Sequence, residues 1–417
     1  MRANRDLLAG AVDAVVRNDN CTGCGVCALV SDRVTMGLSA DGFMRPTVAP
    51  RGGDDDAAQA RTFHASCPGV RLRAPDSEGS THWLFGRVVA AWEGHAVDDS
   101  VRRAGSSGGV LTALTAFLLD VGEAAIVTGA AQDASRPKRT APVTITSREE
   151  ALAAAGSRYA PVSVPSAWNG GGMVGKPCEL AGLRQYLDAT SGEDPILLSF
   201  FCAGTPSQHA TDGLVQKLGG DPEQLTSLRY RGDGWPGRFV FTGAASGSQD
   251  YNESWGHHLG RQLQSRCKIC PDGTGEHADI AVGDFWATDE RGFPTFDEGE
   301  GSSVVIARTR RGAALIERAV AAKVLALAPI DLDDVARVQP LQSERRAVQL
   351  GRSLGRLLAG FRVPRFRGYG ALVLALKNPQ RNIRAARGTW SRARRSRRAR
   401  PHPSRSTAPD HTQHRRS

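Results

Sequence analysis

No stretch of the 417-residue chain stays uncharged and apolar over the ~20 residues that a membrane-spanning helix needs. The amino-terminal "MRANRDLLAGAVDAVVRNDN" is broken by charges and never builds the apolar core of a secretion signal. These absences predict a cytoplasmic location, where thiols stay reduced. A Walker-type phosphate loop and a His-rich metalloprotease motif are also missing, which leaves kinase and zinc-protease readings without support. No internal repeat is visible. The letters G-x-S-x-G do occur in "GSSGG", with Ser107 as the would-be nucleophile. A nucleophile elbow needs a buried strand running straight into it, and the preceding "AVDDSVRRA" is too charged to be one.

What is present reads as a globular chain of about two to three domains. The fold class is α/β (α+β): a small ferredoxin-like segment, a mixed α/β core and a disordered basic tail. We expect the divisions at 1–75, 80–165, 166–330, 331–375 and 376–417. Apolar residues 110, 111, 114, 117, 118 and 121 recur at helical spacing after the loop "RRAGSSGG". "EAAIVTGAA", "PILLSFFCAGTPS", "ADIAVGDFW" and "SSVVIART" read as strands. "SREEALAAAG", "GKPCELAGLRQYLDAT", "GAALIERAVAAK" and "SERRAVQLGRSLGRLLAGF" read as, or contain, helices. "PRGGDDDAAQA" reads as a polar loop.

The net charge of +10 is localised. From Lys377 to Ser417 there are 13 Lys plus Arg against one acid, Asp410, giving +12 and leaving the rest of the chain at −2. Such a tail has almost nothing to bury. It reads first as a solubilising extension, and otherwise as a segment attracted to anionic lipid or nucleic acid.

Three of the eight cysteines, Cys21, Cys24 and Cys27, fall in "CTGCGVC". This spacing lets a tight loop wrap three thiolates around one face of a [4Fe–4S] cluster, with Gly23 and Gly25 allowing the backbone to curl. In bacterial ferredoxins the next cysteine of the run serves a second cluster, and a remote Cys-Pro completes the first. Ser31 stands where that second ligand would be, and Cys67-Pro68 supplies the natural fourth ligand. A structural zinc site is the competing reading, but it usually pairs two Cys-x2-Cys units.

Cys178, Cys202, Cys267 and Cys270 form the other group. Cys178 falls in the first turn of a predicted helix, where the dipole favours a thiolate. Cys202 ends a predicted strand, and ligands gather at the carboxyl ends of strands in open α/β sheets. Cys267 and Cys270 form a Cys-x2-Cys flanked by Arg266 and Lys268. Spacing alone leaves a second cluster, a zinc site and a redox dithiol open.

Several motifs then occur in order: "CTGCGVC", "DGFMRP", "RAGSSGGVLTAL", "GSRYAP", "GKPCELAGLR", "FFCAGTPS", "YRGDGWPG", "CKICPD" and "ADIAVGDFW". On these the chain resembles the coenzyme F420 hydrogenase/dehydrogenase β-subunit family, from about residue 21 to about 330. The resemblance implies an iron–sulfur flavoprotein oxidoreductase. FAD would lie beside a [4Fe–4S] cluster, with hydride exchanged with an organic substrate such as F420 and electrons supplied by a protein such as ferredoxin. A chlorophyll-pathway reductase looks like the same scaffold turned to another substrate, so the family name alone leaves the substrate open. Two positions depart from the family pattern. Lys176 stands where a small hydroxyl residue is expected before Pro-Cys, and Ala203-Gly204 follows Cys202 where His-Gly is frequent.

A flavin dinucleotide needs backbone N–H groups around its pyrophosphate. Ser106, Ser107, Gly108 and Gly109, opening a helix, offer an anion nest and a helix N-terminus. Arg158 would add charge. Tyr159 is a stacking group or plain core, and Asp284 a flavin contact or a turn cap. Lys176 is counted with these cofactor-binding positions. Two other functions compete with this one. The first is a cluster-bearing electron-transfer adapter without its own substrate. The second is a zinc-stabilised binding protein with a nucleic-acid-binding tail.

Overall fold

The computed structural model describes residues 6–50, 56–76, 78–290 and 294–398. The short apolar runs gather into one eight-stranded sheet. We number its strands β1 (Ala90–Ala96), β2 (Val127–Gln132), β3 (Thr140–Ile145), β4 (Gly172–Gly175), β5 (Leu197–Phe200), β6 (Ile280–Asp284), β7 (Ser303–Ala307) and β8 (Leu325–Pro329). Their order is β8-β1-β7-β6-β5-β4-β2-β3. The central β2, β4, β5 and β6 pair in parallel, and the outer pairings are antiparallel. Regions 80–165 and 166–330 therefore share a single sheet.

Alternation along each strand divides the side chains between two cores. In β5, Leu197 packs with Leu180, Leu183 and Leu187 of the helix Pro177–Thr190. Its neighbour Leu198 joins the helices Val110–Asp120 and Arg310–Ala321 on the opposite side. In β7, Val305 and Ala307 follow Leu198, while Val304 and Ile306 meet Leu84 and Phe85. A sheet covered on both faces explains the uninterrupted burial of residues 303–307. β4, β5 and β6 all end at one edge, leading to Lys176, Cys202 and Asp284. β7 begins at that edge, with Ser303 opposite Asp284.

The amino-terminal segment has its own small core, in which Leu8, Val12, Val15 and Phe63 surround Cys27 and Cys67. The helix Asp56–Ser66 occupies part of the stretch read as a polar loop. Its Asp56 carboxylate accepts from Leu7 N (2.6 Å) and Leu8 N (3.1 Å), tying two helix starts together. The strand read through Cys202 stops at Phe200. The single helix expected over 343–361 is two, Pro340–Ala347 and Gln349–Leu358, with Val348 between them.

Order continues past 376, where the sequence predicts a disordered tail. Residues Pro379–Arg398 form a helix against Gln349–Leu358. Apolar burial is not what holds it. Gly351 and Gly355 let the backbones approach, since a Cβ there would stand 2.3 Å from Asn382 O and 2.4 Å from Ala386 O. Buried Asn382 accepts from Gly351 N (2.9 Å) and donates to Ala347 O (3.0 Å). Residues 399–417 of the predicted tail lie outside the described residues.

Two adjacent buried groups before β6 have opposed linkages to pH. Burial, outweighing the Arg346 guanidinium 2.6 Å away, raises the Glu276 carboxyl from 4.5 to about 7. Burial likewise lowers His277 from 6.5 to about 4. Between pH 4.5 and 6.5 the folded chain therefore holds a proton on Glu276 and the unfolded chain one on His277. The two contributions cancel. Glu276→Gln is expected to make stability rise by about 1.4 kcal/mol per pH unit across that window, and His277→Asn to make it fall as steeply. Urea midpoints against pH check this, and variant slopes of the same sign would refute it.

Candidate functional site

The loop carrying Cys21 and Cys24 turns through left-handed residues at Gly23 (φ +71°) and Gly25 (φ +89°). Gly25 opens the short helix that holds Cys27. Gly23 N donates to Cys21 Sγ (3.4 Å), and Ser163 Oγ donates to Gly23 O (2.7 Å), seating the loop on the body of the protein. A Cβ at Gly25 would stand 2.8 Å from Ser163 Cβ, so the close seating itself requires glycine. Cys67 follows the helix Asp56–Ser66 and lies close enough to Cys21, Cys24 and Cys27 for their charges to interact.

Burial raises all four thiols. Cys24 reaches about 11, and Cys67 is pushed higher. At Cys21 the nearby Arg45 offsets part of that cost. Thiolates buried this way are stable only against cationic charge, as on iron. Among the described residues, no three His, Cys, Asp or Glu side chains close around one metal-ion position. A cubane takes one thiolate per iron, a wider spacing than four thiolates on a single ion.

The second cysteine group adjoins the first. Cys178 lies within electrostatic reach of both Cys24 and Cys202, and Cys202 of both Cys267 and Cys270. Burial pushes Cys202 up to about 12 and raises Cys178 and Cys270 as well. Gln264 bridges the groups, donating to Thr22 O (2.8 Å) and to Cys267 Sγ (3.5 Å). Thr205 N also donates to Cys267 Sγ (3.4 Å). Positive charge surrounds the set: Lys176 beside Cys178, Arg345 near Cys202, and Arg266 and Arg345 near Cys270. Arg345 Nη2 donates to Cys202 O (2.7 Å) from the helix Pro340–Ala347.

A cleft of about 300 Å³ opens at the carboxyl edge of β4, β5 and β6. Ser106, Ser107, Gly109, Arg158, Tyr159, Lys176, Asp284 and Cys202 all line it. Gly108 does not. Its N–H donates to Ser303 Oγ (2.9 Å), and a Cβ there would meet Gly94 O at 2.6 Å, so it packs the loop onto β1. Ser107 Oγ donates to Ser302 O (2.7 Å), and Ser106 Oγ accepts from Ser157 N (2.5 Å). The loop is thereby pinned, with the N-terminus of the helix Val110–Asp120 opening on the cleft. The helix Asp99–Ala104 precedes it, so no strand runs into Ser107 as a nucleophile elbow requires.

Three of the lining residues have partners of their own. Arg158 donates to Leu228 O (2.6 Å), Arg139 O (3.1 Å) and Thr140 Oγ1 (3.1 Å), which directs much of its guanidinium at strand ends. Tyr159 packs on Trp255, with ring centroids 4.6 Å apart. Lys176 Nζ donates to Glu179 Oε1 (2.6 Å) and Val162 O (3.0 Å). Burial is the largest influence and opposes the Lys176 charge, but the Glu179 carboxylate together with the neighbouring Cys178 and Cys202 outweighs it and raises the lysine.

Sequence reasoning missed Arg231, in "YRGDGWPG". It is almost fully buried, and its Nη1 donates to Asp284 Oδ2 (2.6 Å). Trp235, Tyr251 and Trp286 enclose its guanidinium, with ring centroids 4.7 to 4.9 Å away. Its Nη2 lies buried without a hydrogen-bond partner among the described residues, at the wall of the cleft. The available signal was an arginine among aromatics, "YRGDGW", in a segment singled out only as one of the motifs in order.

Comparison with known proteins finds similar chains in one family. Residues 91–169 match "Coenzyme F420 hydrogenase/dehydrogenase, beta subunit N-term", and residues 170–333 match the C terminus of the same subunit. Coenzyme F420 hydrogenase subunit beta of Methanothermobacter thermautotrophicus is 26% identical over 266 residues, covering 59% of this chain and 85% of that protein. The Methanococcus voltae protein of the same name is 27% identical over 265 residues, covering 59% and 86%. The fold is similar to that of a chain in the F420-reducing [NiFe] hydrogenase complex of Methanosarcina barkeri. That match has a TM-score of 0.50 and 21% identity, over 64% of this chain and 91% of that one.

Proposed function

From the premise that this chain belongs to the coenzyme F420 hydrogenase/dehydrogenase β-subunit family, we propose that it is an iron–sulfur flavoprotein oxidoreductase. It passes electrons between two [4Fe–4S] clusters and FAD, and exchanges hydride with an organic substrate, F420 in the first instance. One observation carries this reading. Cys202 lines the cleft, stands beside Cys267 and Cys270, and reaches through Cys178 to Cys24. A relay of buried and half-buried thiols thus leads from the amino-terminal segment to the cleft.

When bound, the clusters supply single electrons and the flavin converts between these and two-electron hydride transfer. Cys21, Cys24, Cys27 and Cys67 would hold one cluster, and Cys178, Cys202, Cys267 and Cys270 the other. Ser106, Ser107 and Gly109, with the first turn of Val110–Asp120, would bind the pyrophosphate. Arg231 offers to the flavin or the substrate its Nη2, which has no partner among the described residues, and is held in place by Asp284 and by Pro236 O, which accepts from its Nε (2.5 Å). Trp235, Tyr251 and Trp286 keep water from that charge, and Tyr251 and Trp286, which line the cleft, leave an aromatic surface for a planar ring.

The test is anaerobic purification with iron, sulfide and FAD assays, followed by mixing with reduced F420, NADPH or reduced ferredoxin. Iron, FAD and flavin bleaching by reduced F420 are expected. Iron without FAD would leave only an electron-transfer adapter, and stoichiometric zinc in a colourless protein would sink the redox reading.

A further inference from the structure

We propose that the carboxy-terminal helices form a docking surface for an anionic lipid membrane. Among the described residues, nine of the fifteen exposed large hydrophobic side chains fall between Leu341 and Trp390. The helix Gln349–Leu358 is turned inside out. It buries Gln349, Ser353 and Arg356 against the protein and exposes Leu354, Leu357 and Leu358. A helix serving only the core does the reverse. The helix Ala371–Lys377 is apolar on both faces: it buries Leu374 and Ala375 and leaves Leu372, Val373 and Leu376 each more than half exposed.

Charge selects the occupant. Residues 349–398 contain fourteen Lys and Arg and no Asp or Glu. Arg384, Arg387 and Arg394 are exposed along Pro379–Arg398, beside exposed Ile383 and Trp390. Arg394 stands over the Trp390 ring, 5.4 Å from its centroid. Arginines together with exposed aliphatic and indole side chains match an interface that is anionic outside and apolar beneath. Nucleic acid would use the arginines but has no place for seven exposed aliphatic side chains. The glycine and Asn382 contacts fix these helices to one another, and Arg352 and Arg356 tie them to the body by donating to Lys268 O (3.2 Å) and Asn18 O (2.5 Å), so the surface is preformed.

The full-length holoprotein, floated with phosphatidylcholine vesicles with or without phosphatidylglycerol, tests this. Binding to the anionic vesicles alone is expected, weakening as salt rises. The triple variant Arg384→Gln/Arg387→Gln/Arg394→Gln should lower vesicle partition about a hundredfold. Leu354→Ser/Leu357→Ser/Leu358→Ser should lower it at least about tenfold. Unchanged circular dichroism and iron content would show that both variants fold. Flotation with neither vesicle, or equally with both, overturns the proposal. So does a folded leucine variant that floats like the wild type, which would mean a plain polycation. Tighter binding to duplex DNA than to anionic vesicles assigns the surface to nucleic acid instead.

Discussion

Cys67→Ser is expected to remove about half of the iron and sulfide, one cluster of two, while FAD stays bound. Cys67 belongs to the small core of the amino-terminal segment, with Phe63 and Val15, and is not among the residues that line the cleft. Its loss should be felt by Cys21, Cys24 and Cys27 only. Cys202→Ser offers the contrast, because Cys202 lines the cleft and its carbonyl is held by Arg345 and Gln342. We expect it to lose the other half of the iron and to weaken FAD retention too. Iron-to-protein ratios and released flavin distinguish the two variants. Full iron content in Cys67→Ser would remove that residue from the ligand set and leave the first cluster without its fourth thiolate.

Glu179→Gln should destabilise the protein by about 3–5 kcal/mol, the usual cost of leaving a buried charge unpaired. Both members of the Lys176–Glu179 pair are buried, 2.6 Å apart. Glu179 also accepts from Lys176 N (2.8 Å) and Val164 N (3.1 Å). Those bonds hold the segment whose Ser163 hydroxyl seats the first cysteine loop. Adding Lys176→Met to Glu179→Gln should recover most of the loss, since no charge then remains buried. Denaturant midpoints of the single and double variants decide the matter. A loss below about 1 kcal/mol in the single variant would mean that water reaches the ammonium.

The pair also shows how legible the site was. A lysine before Pro-Cys reads from sequence as a cation available to a cofactor, but its partner is Glu179, three residues on, through a capping box at the start of Pro177–Thr190. Arg158 likewise reads as a free charge, and the structure gives it three backbone or hydroxyl acceptors from remote strands. Arg231 escaped notice because its importance rests on Trp235, Tyr251 and Trp286, separated by up to 55 residues from it. The part of the tail up to Arg398 was misjudged for a related reason. Composition measures how much apolar surface a segment can bury, whereas Pro379–Arg398 is ordered by backbone approach at Gly351 and Gly355.

Local chemistry was readable from the chain itself. It includes the thiolate spacing of residues 21–27, the left-handed glycines between them, the strands that alternate or run apolar, and the Gly/Ser turn into a helix. Each depends on neighbours within one loop or one turn, where short-range sterics and periodicity dominate. Convergence was decided only by the tertiary structure. The parallel order of β4, β5 and β6 brings Lys176, Cys202 and Asp284 to one edge, and the fold sets Cys24 beside Cys178 across more than 150 residues. Long-range placement follows from which faces are buried against each other, a property of the whole chain that no single segment carries.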